Sequence, residues 1–473
     1  GKASIHSSRW LSERARSSRR RLFSGRGGAM KPRDAESIAK RNTRCFILFR
    51  VLFNARFYYP VFAIIFLDFG ISLSQFALLN AIWAATIILA EVPSGALSDL
   101  LGRKKLLVGT ATLMVLEMAI WAFAPKGNPA LLFWLLAGNR VLSGLGEASA
   151  SGSDEALVYE SLERAGRKKD WSSVLEKTSK AQSIAFMIAM IVGALVYDPA
   201  LVSKLAGALG VDAVVDKEST LRLPLYLTLI TSILCWVNCL GFVEIEKEHG
   251  HPELSARDAF RQTFSAGRWI LKTPFALVVI LAGAFADSVI RMFVTLGTEY
   301  YRLVQYPEFA LGFIGAGMSL LNFVVAPASR WLVDTKTPGV VFGVVSMLGT
   351  LGFLGVSFFV PYAGVVFIAL LFAAFSMTSF AISFYLNRVA HSAIRATVLS
   401  FKGMALNLGY GFIGVVYARL LSHLEHARGI EAGDALFVAS AQFFTPYFFA
   451  GAVAVAVFTL VYFPRINQFL KDD

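Results

Sequence analysis

Arg140, Gly144 and Glu147 lie at offsets of four and seven residues inside the apolar run 130–153, spacings that return to nearly the same face of a helix. A guanidinium and a carboxylate about 10 Å apart along one face can face one cavity, and the excess of Arg56, Arg140 and Arg291 over Glu147 and Asp287 leans toward an anionic or zwitterionic solute. A carboxylate that exchanges partners can also carry a proton, because desolvation raises its pKa and a nearby arginine lowers it. Glu147 and Asp287 are the candidates for that role. Asp287 and Arg291, four residues apart in the run 274–300, can neutralise each other, so a structural ion pair and a solute or proton role both fit them. Arg56 adds a cation about ten residues into the run 46–68. At bilayer depth each such charge costs ~2.5–3.5 kcal/mol and requires a partner, a wet cavity or a function. Glu117 faces Arg56 or Glu91, Lys402 snorkels or reaches inward, and Tyr385 and Asn387 close an aromatic and hydroxyl-bearing run that suits a partly apolar molecule if it lines a cavity.

The elements that position these groups follow from composition. The 473 residues are 56% hydrophobic and 16% charged, with mean hydropathy +0.60 and 40 Phe, more apolar surface than a water-soluble core can hide. Runs long enough to cross about 30 Å of hydrocarbon occur at 46–68, 74–97, 106–124, 130–153, 179–198 and 223–243, then at 274–300, 308–330, 338–360, 363–387, 395–421 and 436–463; they are numbered here as spans 1 to 12. Backbone in lipid must bond to itself, so the spans are helices. The expectation is an all-α integral membrane protein of two pseudo-symmetric six-helix bundles, 45–243 and 274–465. A basic arm (1–44) without regular structure, a linker (244–273) and a short tail (466–473) complete it. The arm has no apolar core of a signal peptide and suits anionic lipid better than nucleic acid. Cys45, Cys235 and Cys239 read as packing thiols.

Alternate connections carry 32 Lys and Arg on one side against 5 on the other. Positive charge collects in the cytoplasm, which places both termini there, in the cell inner (plasma) membrane. The stretch "EVPSGALSDLLGRKK" (91–105) then falls on the cytoplasmic side between spans 2 and 3.

That stretch resembles the signature loop of the major facilitator superfamily: Gly95, Asp99 four residues later, then Gly102, Arg103 and Lys104. "RVLSGLGEA" (140–148) is similar to the family's motif in span 4, and "ASASGSDEALVYESL" to the end of that span in poorly characterised bacterial members. The resemblance implies that spans 1, 4, 7 and 10 line a central cavity. It also implies that Asp99 latches the two halves together by accepting from the first amides of span 11, beside Arg395, with Arg103 pairing with Asp154, Glu155 or Glu160. The second half departs from the pattern: Arg330 stands where a Gly would precede Asp334. Span 5 has only Gly193 where drug antiporters of the family carry several Gly and Pro, so export rests on less than the fold does.

No G-x-x-x-x-G-K-[ST] occurs, so energy comes from a gradient rather than from ATP. No H-E-x-x-H or G-x-S-x-G occurs either, and the "HGH" at 249–251 lacks the further ligands of a zinc site. Neither enzyme chemistry nor a cofactor or metal is expected. The reading is a monomeric secondary transporter moving a small organic solute by alternating access with protons, export being one direction open to it. Passive or exchange uptake on the same fold is the alternative, and a lipid translocator or membrane scaffold the alternative of another class.

Overall fold

The computed structural model describes residues 32–150, 153–210, 215–244, 261, 265, 267–389 and 395–472. Among these residues the regular structure is helical, with no strand. The spans form two six-helix bundles. Span 2 is the helix Leu73–Leu101, span 3 Arg103–Ala122, span 4 Pro129–Ala150, span 5 Trp171–Tyr197 and span 6 Leu223–Leu240. In the second bundle span 7 is Pro274–Thr295, span 8 Glu308–Thr335, span 9 Pro338–Val356, span 10 Gly364–Val389, span 11 Arg395–Arg428 and span 12 the helices Asp434–Ala441 and Phe444–Asp472. Eleven helical stretches among the described residues are long and apolar enough to cross a membrane. Span 4 is not one of them, because Asn139, Arg140 and Glu147 dilute its middle.

Several helix ends shift by a few residues, and span 1 departs from the sequence reading in two ways. Span 1 begins at Pro32, so residues 32–44 of the arm expected to lack regular structure are helical; residues 1–31 lie outside the described residues. Proline suits a first helical turn. Ala35, Ala39, Asn42 and Phe46 then form a buried stripe whose spacing is that of one helix face. The Asn42 amide donates to Ser161 Oγ at 2.8 Å and to the Val243 carbonyl at 3.0 Å, and its oxygen accepts from Val243 N at 2.8 Å. These bonds tie the chain entering span 1 to the end of span 6.

Span 1 is also broken. Its first helix ends at Asn54, and a second helix, Phe62–Phe69, completes the crossing. Pro60 has no amide hydrogen and disfavours helix in the residue before it. The freed backbone finds partners in the protein: Phe57 N donates to Thr228 Oγ1 at 3.0 Å. Non-helical backbone at this depth is tolerated where it is buried or lines a cavity.

The bundles meet along two helix pairs, spans 2 with 11 and 5 with 8. Glycine permits the approach in both: a Cβ on Gly414 would lie 3.1 Å from the Ala77 carbonyl oxygen, and one on Gly312 would lie 2.4 Å from that of Met190.

Candidate functional site

Where the bundles face each other, the break in span 1 opens onto a cavity of ≈ 380 Å³. Arg56, Tyr58, Tyr59 and Phe62 come from span 1, Asn80 and Trp83 from span 2, and Arg140, Ser143 and Glu147 from span 4. The second bundle adds Arg291, Val294, Thr295 and Thr298 from span 7 and its continuation, and Tyr410 from span 11. A second cavity of ≈ 370 Å³ shares Trp83 and Glu147 and runs toward the Arg103 end, past Arg50, Glu91, Asp154 and Asn407. Four expected groups, Arg56, Arg140, Glu147 and Arg291, therefore line one chamber.

The charges are not equivalent. The Arg56 guanidinium is 4% exposed, forms an ion pair with Glu117, donates to the Tyr58 hydroxyl at 3.2 Å and lies 5.2 Å from the Phe53 ring centre. Glu117 thus faces Arg56 rather than Glu91. Asp287 and Arg291 form the ion pair that their spacing allows, and Arg291 also donates to Asn407 Oδ1 at 3.1 Å and lies 5.1 Å from the Tyr410 ring. Asp287 is buried behind Arg291 and is not a lining residue.

Arg140 is different. Its Nε and Nη2 both donate to Asn139 Oδ1, at 3.1 and 3.0 Å, and its guanidinium lies among Phe62, Phe66 and Trp121 at 5.5, 5.3 and 5.6 Å. Ring faces attract a cation without neutralising it. Among the described residues Arg140 makes no ion pair. Glu147 is exposed to the cavity and has no ion-pair partner among them either. One cation and one carboxylate, seven residues and about 10 Å apart along span 4, are the two charged groups lining the chamber that have no ion pair among the described residues.

Tyr385 and Asn387, expected at the cavity, lie outside it. Tyr385 is 3% exposed and packs edge-on against Phe275 at 5.8 Å. Asn387 is exposed and donates to the carbonyl of Ser383 in its own helix at 2.8 Å. Span 10 supplies no lining residue, and spans 2 and 11 take its place. The physical reason is close packing of span 10 on spans 7, 8 and 9, which buries its inner face in apolar contacts. Lys402 reaches inward, its ammonium donating to Ser383 Oγ at 2.9 Å. Asn80, Trp83, Thr295, Thr298 and Tyr410 were not foreseen. Asn80 was within reach of a criterion widened from charges to neutral polar side chains inside the apolar runs, since it lies inside the run 74–97.

At the loop between spans 2 and 3, Gly102 has φ +90°, which glycine adopts readily. The carboxylate beside it comes from Glu244, which accepts from Arg103 N at 3.1 Å and Lys104 N at 2.8 Å and so caps span 3, another group the sequence reading missed. Of the three acids proposed for Arg103, Glu160 pairs with it at 2.7 Å; Asp154 and Glu155 instead hold Arg50. Burial pushes the Asp154 carboxyl up, and the Arg50 guanidinium pulls it back down. The side chains of Asp99 and Arg395, and residue 95, lie outside the residues whose side chains are described.

Comparison places this architecture. The family profile described as Major Facilitator Superfamily matches residues 45–414. No curated relative matches the sequence. Among solved structures, that of the nucleoside transporter NupG is similar at TM-score 0.64 and 14% identity, covering 89% of this chain and 98% of that one. A bacterial homologue of the human lysosomal transporter Spinster, in an inward-facing and occupied conformation, gives 0.62 and 15%, covering 92% and 98%. A D-xylose-proton symporter gives 0.60 and 13%, covering 89% and 97%.

Proposed function

Because this chain belongs to the Major Facilitator Superfamily, we propose that it carries a small organic solute bearing an anionic and a cationic group across the membrane by alternating access, with protons as the coupling ion. The observation that carries this reading is the pair Arg140 and Glu147, both lining one cavity and neither neutralised among the described residues. An uncompensated charge at this depth is costly, and a solute with complementary ends relieves both charges. Tyr59, Phe62, Trp83 and Tyr410 supply ring faces for an apolar middle. A nucleoside transporter and a D-xylose-proton symporter share the fold, which is compatible with an uncharged polar portion as well.

Proton coupling falls to Glu147, open to both cavities, and to Asp287, whose release of Arg291 would add a second cation to the chamber. The basic loops assign the Arg103 end, both termini and the linker to the cytoplasm. The second cavity runs toward that end, so the conformation is inward-facing. Asp99 and Arg395 belong to a latch that forms when the cytoplasmic end closes; Gly95, Gly102, Arg103 and Lys104 shape its loop.

The test is flux in proteoliposomes of a solute first identified by thermal shift against a metabolite panel. Accumulation driven by a pH gradient should be lost in Glu147→Gln, and solute exchange should persist only at lowered affinity, because the solute's cationic end loses its partner. If Glu147→Gln and Asp287→Asn both leave pH-driven flux intact, coupling is wrong and passive uptake takes its place.

A further inference from the structure

At the end opposite Arg103 the cavity is closed by two short helices, one from each bundle: Phe62–Phe69 after the break in span 1, and Gly297–Leu303 after span 7. They are stapled at both ends. At the far end the Asp68 carboxylate accepts two bonds from the Arg302 guanidinium, at 2.9 and 2.8 Å, and a third from the Tyr197 hydroxyl at 2.5 Å. Arg302 also donates to Glu308 at 3.0 Å, and Glu308 pairs with Lys217 of the first bundle. At the cavity end Phe62–Phe69 begins without a cap from its own preceding side chain. Its amides at Ala63 and Ile64 instead donate to Thr298 Oγ1 across the interface, at 3.0 and 3.4 Å. Thr298 also lines the solute cavity.

In an alternating-access cycle the two bundles part at this end, with this helix pair as the gate; we propose that Thr298 is the residue through which the contents of the cavity act on this helix pair. The inference rests on the reading as an alternating-access transporter. A hydroxyl has two lone pairs and one proton. The two amides use the lone pairs, so a solute group that takes one of them, or turns the hydroxyl toward itself, leaves a helix-terminal amide unsatisfied. That loss falls only on the closed form, because only there do the two helices meet. Solute binding and opening at this end are therefore linked, and by reciprocity opening changes solute affinity by the same factor. Asp198 adds a second tie across the interface: its carboxylate caps Leu201 N in its own bundle at 3.1 Å and Phe309 N in the other at 3.2 Å. Asp198 does not line the cavity, so it closes the gate without sensing the solute.

Spin labels on Lys204→Cys and Ala427→Cys, both exposed at this end and on different bundles, in a Cys45→Ser background, read the gap by electron–electron distance. Asp68→Asn and Arg302→Gln should each raise the ratio of the longer-distance to the shorter-distance population by roughly tenfold, the scale of one lost bond to a charged group. Thr298→Val should raise it as well, and Thr298→Ser, which keeps the hydroxyl, should retain the parent distribution. Unchanged distributions in Asp68→Asn and Arg302→Gln overturn the gate. A change in those two with none in Thr298→Val overturns the role of Thr298. A thermal scan of each variant separates opening from misfolding. The labels read distance rather than flux, so failure here leaves the transport reading standing, and a failed transport reading leaves these distances unaltered.

Discussion

Gly193 of span 5 meets the backbone of Phe57 so closely that a Cβ on the glycine would lie 1.8 Å from the Phe57 carbonyl oxygen. The glycine is there because span 1 is broken at that level and its unwound backbone bulges toward span 5. Gly193→Ala forces backbone rather than a flexible side chain to move. It should destabilise by roughly 1–3 kcal/mol and reduce transport, because the displaced segment carries Arg56, Tyr58 and Tyr59. An unaltered Tm in detergent would show that the two spans do not touch.

Arg56 and Glu117 form a nearly dry ion pair, exposed by 4% and 1%. Glu117→Gln leaves a buried guanidinium uncompensated and should cost about 3–5 kcal/mol. The double variant Arg56→Met with Glu117→Leu should recover most of that loss, since neither charge then remains. Equal Tm losses in the single and double variants would count against the pairing.

Arg140→Ala should abolish the solute-induced rise in Tm and lower the ligand-free Tm only by what its bonds to Asn139 and its ring contacts contribute, because Arg140 makes no ion pair among the described residues. Arg140→Lys should retain part of the effect, as a point charge without the guanidinium fork. If Arg140→Ala binds the same solute as tightly as the parent, the cavity is not its site and the lipid-translocator or scaffold reading gains.

Glu244 caps the first amides of span 3. Glu244→Ala should lower stability by about 1 kcal/mol, the usual scale of a lost cap, and speed proteolysis within 244–273. Gly102→Ala should cost more, since it combines φ +90° with a Cβ 2.9 Å from Glu244 Oε2. Unchanged proteolysis in Glu244→Ala would place the cap elsewhere.

Asp99→Asn should shift the protein toward forms open at the Arg103 end. A cysteine at Asn54, on the cavity that runs toward that end, reports this by its rate of labelling with a membrane-impermeant thiol reagent from that side. A rate equal to that of the Asp99 parent would remove the latch.

Much of the architecture was legible because lipid imposes a simple rule. Every spanning segment must be apolar and self-bonded, so twelve crossings and the superfamily could be read from runs of hydrophobic residues and one loop. The same rule made Arg56, Arg140, Glu147, Asp287 and Arg291 conspicuous, since charges in such runs stand out one by one. Helical period also put Arg140 with Glu147, and Asp287 with Arg291, because both members of each pair share a helix.

What the sequence alone determined, then, was carried by single apolar segments: which of them cross, which charges lie at depth, and which of those share a face. Tertiary structure decided the rest, because it depends on which faces of different helices meet. Only the fold could give Arg56 to Glu117 and leave Arg140 without an ion pair among the described residues, bury Tyr385 while admitting Asn80 and Tyr410, bring Glu244 to the amides after Gly102, and set Thr298 of the helix after span 7 against the helix that follows the break in span 1. These partners are tens to hundreds of residues apart, and no periodicity in one segment encodes the rotation of another against it.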